Sequence, residues 1–326
     1  MRHRAFPLAF AWIASLCWGQ MGAPGGGDTQ AIALHPTDPS ILYVGAARGL
    51  CKTTRGGKDN WPSSGLETLS PRAIVLDPKD PSVLYAGTYE TGVYKSSDGG
   101  GSWHAVSDGI TFPRIRGLVI DPRDGRTLLA ATDGGGVFKT DDGGDTWREA
   151  NQGLIDKTLR CLLIDPRNPD ALLAGTWHGV YRTVDGGESW QANPDGLFDV
   201  DVAALAIDPS DSKILYAGVD PGGLYRSEDG GWTWSHGRRP LQQRVLAVAV
   251  DPAKPERIYV GTTKGVFRSD DSGQTFEKAG LQWSNRTWTL VFDTKTTPPT
   301  LYYGGEGGVL KTIDGKWWDV TGPQRQ

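Results

Sequence analysis

Methionine, cysteine and histidine are scarce in this 326-residue sequence, which holds 2 Met, 3 Cys and 5 His. So few cysteines exclude a small disulfide-stapled scaffold. No His and Cys fall at zinc-ligand spacing, so neither a metal nor a cofactor is expected. Positive charge is not in excess: 34 Lys and Arg stand against 38 Asp and Glu, a formal net charge of -4. That excludes the global basic signature of a nucleic-acid binder. Beyond the N-terminus no apolar run reaches the roughly 20 residues that a membrane-spanning helix needs, and no stretch keeps a helical period. The chain is instead rich in turn formers and indoles, with 45 Gly, 21 Pro and 13 Trp. Its hydrophobic share of 38% suffices for a buried core. So much Gly and Pro argues for many short elements joined by many turns.

The first residues read as an address. Arg2 and Arg4 precede an apolar run from Ala5 to Trp18, interrupted by Pro7 and followed by small residues. A charged start, a short apolar stretch and small residues describe a secretory signal peptide over 1–19, with Cys17 and Gly19 before a cut at Gln20. A Gly-rich segment, 20–30, follows. The mature protein is expected to be secreted or periplasmic and monomeric, with Cys51 and Cys161 as two buried thiols.

After residue 30 one unit is written seven times. An apolar run closing on Asp-Pro ends at Asp77, Asp121, Asp165, Asp208 and Asp251, with degenerate copies at His35-Pro36 and Asp293-Thr294. A second string, Gly-apolar-aromatic-basic-hydroxyl, begins at Gly92, Gly136, Gly179, Gly223 and Gly265. A third follows at once, Ser-x-Asp-x-Gly-x-Ser/Thr-Trp, around Asp98, Asp142, Asp185, Asp229 and Asp271, with a shortened copy at Asp314. Successive aspartates lie 42–44 residues apart, and Arg55 takes the place of the aspartate in the first copy. Seven units fill 31–321, leaving a tail at 322–326.

Each unit carries four short segments rich in Val, Leu, Tyr and Trp, separated by Asp-Pro, Gly and Asp-Gly. In the second unit these are 73–76, 83–87, 92–96 and 103–106. Four strands per repeat of this length predict an all-β, seven-bladed β-propeller with four antiparallel strands per blade. A β-helix has shorter coils, and a leucine-rich horseshoe needs a Leu spacing that is absent.

In the third string the short carboxylate can accept N–H bonds inside its own turn. Gly allows the reversal, and Trp plugs the space between sheets. Identical sites spread around a ring are expected to be structural in every copy. The string resembles the Asp-box, or bacterial neuraminidase (BNR) repeat, of sialidases, xyloglucan hydrolases, sortilin-type receptors and photosystem II assembly factors. The resemblance covers residues 30–321 and implies the fold; it leaves activity open, because that family holds enzymes, receptors and chaperones. It further implies that the Asp-Pro run is the innermost strand, that Asp-boxes and Asp-Pro turns share one face, and that the other face is open.

Counted from the terminal Asp of each inner strand, Arg72, Arg116 and Arg160 lie five residues before it, and Arg114, Arg244 and Arg286 seven before it. Both offsets point one way along a strand of period two. Two readings follow: an anion trap at the channel mouth, or polar caps paired with neighbours such as Asp156, Asp199 and Asp201. Tyr89, Trp177, His178, Trp283 and Trp288 decorate the same loops and could bind a protein or glycan or merely cover blade seams. The expected function is a non-catalytic binding or assembly scaffold with a protein or glycan ligand, an anionic one included. The alternative is a carbohydrate hydrolase or lyase, with Glu67, Glu90, Asp133, Asp199, Asp201, Asp220 and Glu306 as carboxylates to be paired across a cleft. The sialidases implied by the resemblance use an Arg triad, a Tyr–Glu pair and an aspartate. Here Phe112-Pro113-Arg114-Ile115 only loosely echoes their Arg-Ile-Pro string.

Overall fold

The computed structural model describes residues 29–47, 49–56, 61, 63–193, 197–238, 241–279, 286–306 and 308–313. These form seven antiparallel sheets in which each strand pairs with the next in sequence. Five blades show four strands, and the first and last show three among the described residues. The expected signal peptide and the seventh Asp-box, at Asp314, lie outside the described residues.

The innermost strands are Thr29–Leu34, Pro71–Leu76, Ile115–Ile120, Leu159–Ile164, Asp201–Ile207, Val245–Val250 and Thr287–Asp293. Each packs beside the next, and the first packs beside the last, so the ring closes. Second strands such as Leu84–Thr88 and Leu128–Thr132 are wholly buried. Fourth strands such as His104–Ala105 are two residues long and exposed, shorter than the hydrophobic pattern of 103–106 suggests. Short, solvated outer strands leave little edge for unwanted pairing.

Blades interlock where a second-strand glycine meets the next inner strand. A Cβ on Gly218 would lie 2.4 Å from Val245 Cγ1, and one on Gly87 2.5 Å from Ile115 Cγ2. The seam that closes the ring repeats the device, with Gly304 against Thr29 Cγ2 at 2.6 Å. Blade 3 has Ala131 there, and its partner Leu159 is not β-branched, which leaves room for one methyl group.

The Asp-box is a closed hydrogen-bond circuit. Asp185 Oδ1 accepts from Thr183 Oγ1 (2.6 Å) and Ser189 N (3.0 Å), and Ser189 Oγ donates to Oδ2 (2.5 Å). Thr183 Oγ1 in turn accepts from Gly187 N at 3.2 Å, where Gly187 has φ +87°. Asp98, Asp142, Asp229 and Asp271 repeat it. Burial alone would raise the Asp185 and Asp229 carboxyls, but these bonds outweigh it and hold both down at about 2. Each Trp seats between blades. Trp147 Nε1 donates to Val106 O (2.8 Å) and Trp190 Nε1 to Ala150 O (2.9 Å), tying these two to the preceding blade, whereas Trp234 Nε1 donates to Gly231 O (3.1 Å) in its own turn. Cys161 is a free thiol whose pKa burial pushes up to about 12. Cys51 is buried and disulfide-bonded, so the expectation of two thiols holds only for Cys161.

Candidate functional site

The open face is built from the turns between second and third strands and the loops that enter each new blade. Their backbones are laced together: Gly92 N donates to Pro113 O, Asp133 N to Arg114 O, and Asp199 N to His178 O. Every inner strand carries a β-bulge near its start, for example between Ile115 and Gly117 or between Val245 and Ala247. The extra residue is in each case the one five before the terminal Asp, or before His35 in blade 1. Those seven residues are Gln30, Arg72, Arg116, Arg160, Ala203, Leu246 and Trp288, and all line a central channel of about 350 Å³. A bulge breaks the two-residue period and re-aims one side chain. Hence Arg114, Arg244 and Arg286, just ahead of their strands, do not line the channel as the simple alternation predicts.

The arginines fall into two groups. Around Tyr89, in the second turn of blade 2, stand Arg72, Arg116 and Arg114, with Cζ 4.7, 4.9 and 5.9 Å from the ring centroid. All lie within cation–π range. Arg72 Nη1 donates to Gln30 (3.0 Å), and Arg116 clasps Asp133 Oδ2 through Nε (3.2 Å) and Nη2 (2.6 Å). Arg114 is exposed and makes no ion pair with a described residue.

The second group spans blades 4 to 6. Arg160 Nε lies 3.1 Å from Asp201 Oδ1, and Arg244 reaches Asp201 Oδ2 at 3.3 Å and Asp220 Oδ2 at 3.1 Å. Asp201 and Asp220 are cross-strand partners. Asp201 Oδ1 and Arg244 Nε are buried in ionic contact without aligned hydrogen bonds. Burial lowers the Arg160 pKa, which Asp201 opposes and Arg116 and Arg244 reinforce; burial raises that of Asp201 against the same arginines. Arg160 also lies 5.4 Å from the Trp177 ring. Arg286 is half exposed, 3.8 Å from Glu306 and 5.9 Å from the Trp288 ring.

The two sequence readings are therefore both partly realised. Arg116, Arg160 and Arg244 are paired as polar caps are, whereas Arg114 beside Tyr89 pairs with no described carboxylate. Asp156 pairs not with an arginine but with His178, whose Nδ1 lies 2.9 Å away; that bond raises the His178 pKa. Asp199 makes no ion pair with a described residue. Trp177 is 46% exposed, and beside it the exposed Ile155 and Phe198 went unremarked in the sequence, since single apolar loop residues carry no pattern. Trp283 lies outside the described residues. No hydrogen bond reaches the Tyr89 hydroxyl, so no Tyr–Glu pair is assembled among the described residues. They also contain no group of three or more His, Cys, Asp or Glu that could hold a metal.

The model of the family described as "Sortilin, neurotensin receptor 3" (Sortilin-Vps10) matches residues 91–220. A GH74 enzyme from Niastella koreensis has a similar structure, with a TM-score of 0.70 over 91% of this chain and 20% identity. The protein is a seven-bladed β-propeller whose turns carry the BNR-type Asp-box. This propeller spans 54% of the GH74 enzyme's length, about half of it. It also resembles YCF48 bound to D1 peptide, with a TM-score of 0.68, 17% identity, and 88% and 93% of the two chains covered. YCF48 from Cyanidioschyzon merolae gives a TM-score of 0.69 at 15% identity, with 90% and 97% covered. At such identities the likeness is one of fold. No curated protein matches the BNR propeller. No helix among the described residues is long and apolar enough to cross a membrane.

Proposed function

We propose that this BNR propeller is a secreted, non-catalytic binding scaffold that holds an anionic group of a protein or glycan ligand on its open face. The observation that carries this reading is the crowding of Arg72, Arg114 and Arg116 around Tyr89. Asp133 counters Arg116, whereas Arg114 is exposed and pairs with no described carboxylate. An incoming carboxylate, sulfate or phosphate would meet the Arg114 guanidinium through charge-assisted bonds, with Arg72 and Arg116 adding to the local positive field. The peptide held by YCF48 lends support to a protein ligand through likeness of fold.

The hydrolase reading rests on Asp201 and Asp220, which face one another across a strand pair. Arg160 and Arg244 both engage Asp201, and Arg244 also engages Asp220, so both carboxylates are held in ion pairs, whereas cleavage needs two carboxylates facing a substrate. The scaffold is the better reading.

The test is binding to an immobilised polyanion, a sulfated glycan or an acidic protein, as salt rises from about 50 to about 300 mM. Substituting Arg72, Arg114 and Arg116 by Ala together should weaken binding at least roughly tenfold and flatten its salt dependence. Binding that survives the triple substitution refutes the proposal, and turnover of a glycan would install the hydrolase reading in its place.

A further inference from the structure

We infer that the channel mouth is a separate site for a compact organic anion with an apolar body, an aryl carboxylate being the best fit. The inference rests on the open face being an anion-binding surface, but it places a different and smaller ligand inside the channel.

The bulge residues divide the mouth into two unlike walls. Blades 2 to 4 contribute Arg72, Arg116 and Arg160; blades 5 to 7 contribute Ala203, Leu246 and Trp288, and all line one cavity. The division is possible because the bulge residue is not consumed by blade packing. The residue before it does that work: Ile115, Leu159, Val202 and Val245 are fully buried. A position freed from core packing can carry a cation in one blade and a leucine in another without disturbing the seam.

The cationic wall retains donors. Arg116 spends Nε and Nη2 on Asp133, and Arg160 meets Asp201 through Nε. Arg116 Nη1 and both terminal nitrogens of Arg160 make no hydrogen bond to a described residue, so a carboxylate between these planar forks finds donors in the geometry it prefers. Across the mouth, Leu246 offers an aliphatic surface and Trp288 an aromatic one for a ring. About 350 Å³ lies at the low end of small-molecule sites, which run from roughly 300 to 1,000 Å³, so one ring fits and a polymer does not.

The experiment is isothermal titration of the folded protein with phenylacetate, acetate and the neutral phenylacetamide. Phenylacetate should bind at least about tenfold more tightly than acetate, since its ring buries on the order of 100 Å² of apolar surface. It should exceed phenylacetamide by at least roughly the same factor, because the amide has no charge for the guanidiniums. Leu246→Ser should reduce the preference for phenylacetate over acetate at least about threefold, Trp288 keeping the remainder, and leave acetate unchanged. Ala203→Asp, a second variant at an unpacked position, should weaken both anions. Equal affinity for the two anions, or a preference indifferent to Leu246→Ser, overturns the inference. Polyanion binding that depends on Arg72, Arg114 and Arg116 while phenylacetate fails to bind sinks this site alone; loss of both sinks the proposed function as well.

Discussion

The interlock between blades can be tested at Gly218. Its backbone is not in the left-handed region, so alanine would suffer no conformational strain there, and the whole effect of Gly218→Ala comes from space. The new methyl group would sit 2.4 Å from Val245 Cγ1, 3.0 Å from Val245 Cβ and 3.4 Å from Ala204 Cβ. Val245 is fully buried and β-branched, so it has no free rotamer to retreat into. Overpacking of this kind costs about 1–3 kcal/mol, which in a chain of this size lowers the melting temperature by roughly 2–4 °C per kcal/mol. Val245→Ala alone opens a cavity and destabilises as well. The double variant should recover stability relative to the sum of the two, with a coupling of about 1–2 kcal/mol, because the vacated volume accepts the new methyl group. Urea unfolding of the four proteins measures the cycle. Strict additivity, or a Gly218→Ala cost below about 0.5 kcal/mol, would refute the claim that blades lock by a branched side chain seated on a bare backbone.

Three further outcomes are expected. Asp185 and Asp229 sit at about 2 when folded, below the usual carboxylate value, so their stabilisation is complete above about 4 and is lost as pH falls towards 2. Replacing both with Asn should flatten the acid limb of the unfolding curve, and an unchanged limb would contradict the circuit. Trp147→Phe should cost about 1–2 kcal/mol by stranding Val106 O, measured by chemical denaturation, although blade 6 uses Phe276 at the same place. Asp156→Asn should move the NMR titration midpoint of His178 down towards its ordinary value, since the lost bond is what raises it.

Much of the architecture was legible because it is repeated. Six carboxylate-bearing turns, a seventh with Arg55 in place of the aspartate, and the recurring Asp-Pro runs set strand count and blade length. A hydrogen-bond circuit confined to Thr183–Ser189 needs no distant partner, so its residues must recur with fixed spacing. The arginines were legible as positions but not as partners. Arg116 with Asp133 and Arg244 with Asp201 and Asp220 join residues of different strands or blades. No local pattern distinguishes those carboxylates from Asp156 or Asp199. The bulge was invisible too: it shows only as a register shift between paired strands, and it separates Arg116, which lines the channel, from Arg114, which does not.

Sequence alone determined that this chain is a ring of seven like sheets, because local turns and alternating apolar runs are short-range properties written into each unit. Tertiary structure alone decided which cations share Tyr89, which are neutralised, and that the channel has a basic wall and an apolar one. Those outcomes depend on ring closure. Only when the seventh blade packs on the first do seven bulged strands bring side chains from opposite ends of the chain to one mouth.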